Sequence, residues 1–156
     1  MINQNKNYNK IGWKEWVALP ELGIPSIKAK IDTGARTSAL HTYKIEPFQK
    51  KNTEYVRFWI HPIQKIQEIS ICCEAVVQDK RIVKDSGGHA EERYVIATNL
   101  LINDVTIPIE LTLTNREDML FRMLLGRTAL NSSSMIVDPG SSYITGRKYK
   151  KKYHKD

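Results

Sequence analysis

Residues 27–41 read IKAKIDTGARTSALH, and Asp32 is the first side chain placed to do chemistry. Ile27, Ala29 and Ile31 alternate with Lys28 and Lys30, so Asp32 falls at the end of a strand with one buried face. A carboxylate in that position, running into Thr33-Gly34-Ala35, is either a general acid or base held at a strand end or a side chain capping its own turn. In the second case Gly34 is there to supply a positive φ. About ninety residues later RMLLGRTAL brings a second glycine element: Leu124 and Leu125 run into Gly126, then Arg127 and a short helical turn. Asp138, in IVDPG, is followed by Pro139, which lacks the hydroxyl and the N–H that Thr33 offers, so it reads as a turn after a strand.

Other reactive side chains fall into no chemical pattern. His41, His61, His89 and His154 are scattered without an HExxH, and the only cysteines, Cys72 and Cys73, are adjacent. Neighbouring cysteines rarely form an unstrained disulfide, so one thiol is expected to face the core and the other the opposite side of a strand. SGGHAEER lacks the Gly-Lys-Ser/Thr of a phosphate loop. Neither zinc nor ATP is expected as a cofactor.

The elements that must hold Asp32 are mostly strands. GWKEWVAL and SIKAKID alternate and flank LPELGIPS, whose Pro20, Gly23 and Pro25 suit a turn, so the two should pair as a hairpin. YVRFWIH, ISICCEAVV and ERYVIATNLLI are further strands. In VTIPIELTLT, Ile107, Ile109, Leu111 and Leu113 share a face, and Pro108 on the other face suggests an edge or a bulge. Helical patches are confined to NREDMLFRMLL and GRTALNSS. The expectation is an all-β fold of seven or eight strands, a small closed or nearly closed barrel with one or two short helices.

A chain of 156 residues, 41% hydrophobic and 26% charged, fits one globular domain. Its boundaries read as a disordered N-terminus over 1–10, the barrel over 11–146 and a basic, flexible tail over 147–156. The formal charge of +7 is concentrated there: RKYKKKYHKD holds six Lys or Arg against one Asp, leaving the body near neutral. With Tyr149 and Tyr153 between its lysines, the tail is a candidate for RNA or ribosome contact, although solvated basic tails are common. The polar opening MINQNKNYNK and the interrupted apolar runs point to a cytoplasmic protein without a membrane partner.

Together, IKAKIDTGA and RMLLGRTAL resemble the retropepsin-like aspartic peptidases, with KDSGGHAEERYVI similar to the glycine-tipped flap hairpin that closes over substrate. The likeness spans residues 26–131. A nearer likeness is to a bacterial group labelled ATP-dependent zinc proteases, some of them encoded beside the ligase that adds glutamates to a ribosomal protein; PIELTLTNREDMLFRMLLGR and IVDPG look like its segments.

The resemblance implies a catalytic trio of Asp32, Thr33 and Gly34: the water-activating carboxylate, the cross-bracing hydroxyl, and the glycine that admits the substrate backbone. It implies substrate contacts at Ala35, Arg36, Gly87, Gly88, His89, Arg93 and Arg127, with Leu124, Leu125 and Gly126 supporting the site from behind. Peptide hydrolysis by this route needs two carboxylates sharing a proton, because like charges so close cannot both ionise. With one Asp-Thr-Gly in the chain, the second Asp32 is expected from another copy in a two-fold homodimer. Retroviral enzymes carry an acidic residue where Arg36 stands, which deprives Arg127 of its usual partner. Arg36, Arg127 and Arg93 are therefore expected either to read acidic, glutamate-rich peptides or to pair with internal carboxylates such as Glu91, Glu92, Glu110, Glu117 and Asp118. The alternatives are a non-catalytic peptide- or ribosome-binding module of the same fold and a metal-dependent peptidase.

Overall fold

The structure, a computed structural model, describes residues 9–64, 66–84, 87–116 and 118–146. The expected disorder at residues 1–10 and the flexible tail over 147–156 lie outside these residues, except Asn9 and Lys10. In chain order the strands are β1 (Asn9–Ile11), β2 (Lys14–Leu19), β3 (Ile24–Ile31), β4 (Ser38–Thr42), β5 (Lys44–Lys50), β6 (Thr53–Ile60) and β7 (Ile71–Val76). There follow β8 (Asp79–Lys84), β9 (Ala90–Ile102), β10 (Val105–Asn115), β11 (Met123–Leu125), the helix α1 (Arg127–Ser132) and β12 (Met135–Val137). A single 3₁₀ turn, Pro20–Leu22, joins β2 to β3 and ends at Gly23, whose φ of 73° needs no Cβ to accommodate.

Six strands close on themselves in the order β10-β4-β11-β3-β2-β9, with β9 pairing back onto β10, so the barrel has no open edge of its own. β8 extends β9 outward as a hairpin arm, β5-β6-β7 form a separate antiparallel sheet, and β1 pairs in parallel with β12. The expected alternation is what fills the barrel. Ile27, Ala29 and Ile31 of β3 and Ile107, Ile109, Leu111 and Leu113 of β10 are all buried in one cluster, joined by Val56, Phe58 and Ile60 of β6. Complete burial of aliphatic or aromatic side chains of this size stabilises by about 1.5–3 kcal/mol each.

At Pro108, β10 has only β9 beside it; β4 joins from Leu111 onward, so the proline sits at a local edge as its missing N–H requires. Beyond Leu111 the outer face of β10 is covered too, and the hydroxyl of Thr112 donates to the Ser38 carbonyl at 3.2 Å. Cys73 is buried and Cys72 exposed, both as free thiols, and burial pushes the Cys73 thiol up to about 12.

Two expectations need correction. Twelve strands, rather than seven or eight, occur among the described residues. NREDMLFRMLL forms no helix: its described part bends through residues 118–122 and ends as β11. Tertiary pairing overrides the helical pattern there, because β11 fills the slot between β3 and β4 and sends Met123 and Leu125, both 0% exposed, into the core.

Candidate active site

β11 lies between β3 and β4, hydrogen-bonded in parallel to the first and antiparallel to the second. The connection from β3 to β4, residues 32–37, must therefore arch over the end of β11, where Gly126 and α1 lie against it. The arch is tied down almost group by group. Asp32 N–H donates to the Leu125 carbonyl at 2.9 Å and Ala35 N–H to the Asp32 carbonyl at 3.2 Å. From below, Arg127 N–H reaches the Ala35 carbonyl at 2.7 Å, and Thr128 reaches the Arg36 carbonyl with its N–H at 3.1 Å and its hydroxyl at 2.8 Å. Buried Ser38 closes the return leg by accepting from Gly126 N–H at 3.0 Å.

Gly126 is a glycine for lack of room. A Cβ there would stand 2.6 Å from the Thr37 carbonyl carbon and 2.7 Å from its oxygen, although the φ of −95° suits any residue. Leu125, fully buried, anchors the strand that supports the arch, and Leu124 is half-buried beside it.

On the arch, Asp32 is half-buried, and its Oδ1 accepts a hydrogen bond from Gly34 N–H at 3.0 Å. Its Oδ2 has no partner among the described residues. Gly34 does not adopt a positive φ; a Cβ there would crowd Asp32 Oδ1 at 3.3 Å, so its smallness serves the carboxylate rather than the backbone. Thr33 is exposed and Ala35 half-buried. The Asp138-Pro139-Gly140 segment makes the same turn, Gly140 N–H donating to Asp138 Oδ1 at 3.0 Å, but Asp138 is also engaged by the Ser141 hydroxyl and Lys10. The Ser141 hydrogen bond, foremost, holds its carboxyl below the usual range.

The arginines divide. Arg127 donates through Nη1 to the carbonyls of Thr33 and Gly34, at 3.2 and 3.1 Å, so two backbone dipoles take the place of the missing carboxylate and the guanidinium clamps the Asp32 turn. Arg93, in β9, keeps only 14% of its side chain exposed and lies 3.8 Å from Glu91. Arg36 is exposed, with no ion pair among the described residues, and lines a cleft of about 560 Å³ between the arch and the arm β8. Arg81, Lys84, Glu110, Thr37 and Thr128 also line it. An apolar pocket of about 290 Å³ adjoins at Thr37, Glu110 and Thr128, walled by Pro108, Ile109 and Ala129. Asp32 borders neither; it occupies the opposite end of the arch.

Gly87, Gly88 and His89 are exposed in the turn of the β8–β9 hairpin, just beyond the cleft-lining Lys84, and Gly88 takes a φ of 84°. Arg81 and Lys84 are charged cleft residues absent from the expected site; their place in the alternating DKRIVK next to the glycine turn was the available signal.

Among the described residues no three His, Cys, Asp or Glu side chains gather as a metal site, and no helix is long and apolar enough to cross a membrane. His41 is buried on β4 with Nδ1 bonded to the Thr114 hydroxyl at 2.5 Å. Desolvation first, then the charges of Arg116, Arg93 and Arg122, lower its pKa to about 4.

Residues 10–148 match the family model described as RimB-like, retropepsin-like aspartic endopeptidase RimB. A protein named probable alpha-L-glutamate ligase from Shewanella pealeana is 47% identical over 138 residues, 88% of this chain but 30% of that protein. A protein of the same name from Desulfotalea psychrophila is 46% identical over 136 residues, 87% of this chain and 29% of the relative. The chain thus spans under a third of the length of these curated relatives. The crystal structure of a Legionella pneumophila protein of unknown function is similar at a TM-score of 0.74 and 29% identity, covering 89% of this chain and 99% of that one.

Proposed function

Because the chain belongs to the RimB-like family of retropepsin-like aspartic endopeptidases, we propose that it hydrolyses peptide bonds as a homodimer, with the Asp32 side chains of two copies paired about a water molecule. The observation that carries this reading is the arch itself. A half-buried carboxylate has one oxygen fixed by Gly34 and the other unengaged, on a turn clamped from behind by β11, Gly126 and Arg127. Such rigidity is what a pair of acids needs if they are to meet at hydrogen-bonding distance.

In the dimer one Asp32 keeps the shared proton and the other accepts a proton from water as it attacks the scissile carbonyl; the protonated partner hydrogen-bonds the developing oxyanion and the proton then passes to the leaving amine. The exposed Thr33 hydroxyl, with no partner among the described residues, is available to brace the opposite turn.

Substrates are acidic protein tails, glutamate-rich or glutamylated. Support comes from the cleft, where Arg36, Arg81 and Lys84 face the single carboxylate of Glu110, and from relatives named as glutamate ligases in which this region is one part. Contact with RNA or the ribosome through the basic tail belongs to the same proposal.

The test is cleavage of a peptide ending in several glutamates by purified protein, followed by mass spectrometry across a pH series. A bell-shaped profile that disappears in Asp32→Asn, unaffected by a chelator, is expected. Cleavage surviving in Asp32→Asn would refute the mechanism, and tight binding without cleavage at any pH would make the protein a peptide-binding module instead.

A further inference from the structure

The cleft beside the arch contains an ion pair that the hydrolytic chemistry does not use. Arg81, on the arm β8, donates through Nε to Asp79 Oδ2 at 2.9 Å and through Nη2 to Glu110 Oε2 at 2.8 Å. The two carboxylates are not equivalent. Asp79 lies on the same strand two residues away and is itself held by Lys80 N–H at 2.8 Å, so it fixes the orientation of the guanidinium. Glu110 reaches across from β10, at the junction between the charged cleft and the apolar pocket. Its side chain presents to Arg81 the same group that a substrate glutamate would.

Glu110 and Arg81 keep 47% and 36% of their side chains exposed, which places the pair among ion pairs worth at most about 1 kcal/mol. Such a contact is strong enough to orient an empty cleft and weak enough to be exchanged. Arg36, across the cleft on the arch, needs no displacement to offer a second positive charge.

We infer that Arg81 and Arg36 form the subsite for an acidic substrate side chain, and that Glu110 is its internal stand-in, which the substrate carboxylate displaces from Arg81. This rests on the acidic-substrate reading above and makes Glu110 and Arg81 the residues that set specificity. Arg127 is excluded from that role by its bonds to the Thr33 and Gly34 carbonyls, and Arg93 by the burial of its side chain. Glu110 raises the threshold for entry: a neutral side chain cannot displace it, and a carboxylate can.

The experiment measures binding rather than turnover, in full-length protein carrying Asp32→Asn. Anisotropy titrations use a labelled peptide ending in glutamates and its counterpart ending in glutamines. Glu110→Gln should tighten binding of the glutamate peptide about fivefold, the factor equivalent to a surface ion pair of about 1 kcal/mol. It should leave the glutamine peptide unchanged. Adding Arg81→Gln should abolish the gain. Glu46→Gln, with the same charge change on β5, controls for a general electrostatic effect and should give less than a twofold change. Should Glu110→Gln do no more than Glu46→Gln while the parent still prefers glutamate over glutamine, the displacement is wrong and the acidic-substrate reading stands. Should no variant distinguish the two peptides, both are wrong.

Discussion

Gly126→Ala is the substitution with the most to say about how the site is held. Its added methyl would lie 2.6 Å from the Thr37 carbonyl carbon, 2.7 Å from the Thr37 oxygen and 3.0 Å from the Ala35 oxygen. Ordinary contact begins near 3.4 Å, so the arch must move about 0.8 Å away from the end of β11. The obstructing atoms are backbone, and no rotamer change relieves the clash. The arch is fixed at both ends by strands and from below by the bonds from Arg127, Thr128 and Gly126, so the movement lengthens those contacts. Overpacking of this kind costs about 1–3 kcal/mol, and weakening one or two buried hydrogen bonds adds about 1 kcal/mol each.

A loss of about 2–5 kcal/mol is therefore expected in urea unfolding, measured at fixed protein concentration so that the proposed dimer, if formed, contributes equally to both proteins. Displacing the Asp32 turn by about 1 Å should also lower kcat roughly a hundredfold, more than it raises KM. Gly140→Ala, whose added Cβ meets only Asp138 Oδ1 at 3.5 Å, is the control and should be far milder. If Gly126→Ala unfolded within 0.5 kcal/mol of the parent, the steric account of the arch would be refuted.

Other consequences follow from the same structure. Arg127→Gln removes the clamp on the carbonyls of Thr33 and Gly34 and should lower kcat at least tenfold, while the melting temperature moves by only a few degrees because the side chain is exposed. His41 has a folded pKa of about 4 against 6.5 unfolded, so the unfolded state binds the extra proton first. Its contribution is complete above pH 6.5 and is lost as pH falls towards 4, about 3 kcal/mol in all. Unfolding free energies at pH 7 and pH 4.5 should accordingly differ by less in His41→Gln than in the parent. A thiol reagent should label Cys72 alone in the native protein and both cysteines in denaturant; rapid native labelling of Cys73 would contradict its burial.

What the sequence by itself determined is the part written in local periodicity. The alternation in β3 and β10 specified which side chains fill the barrel. The split of Cys72 and Cys73 followed from the same period of two, and the Asp32 turn and its glycine echo at 126 stood out because few structural roles require those residues in that order. Tertiary structure alone decided the rest. β4 has all five residues buried, so no alternation marks it, and β11 resembles part of a helix until it is placed between two strands that need a partner. The roles of the arginines were decided last, since a guanidinium takes whichever acceptor the fold brings within hydrogen-bonding reach: two carbonyls more than ninety residues away for Arg127, and a carboxylate 29 residues away for Arg81. Hydrophobic pattern is a property of neighbours in the chain and can be read there, whereas the partner of a charge is a property of neighbours in space.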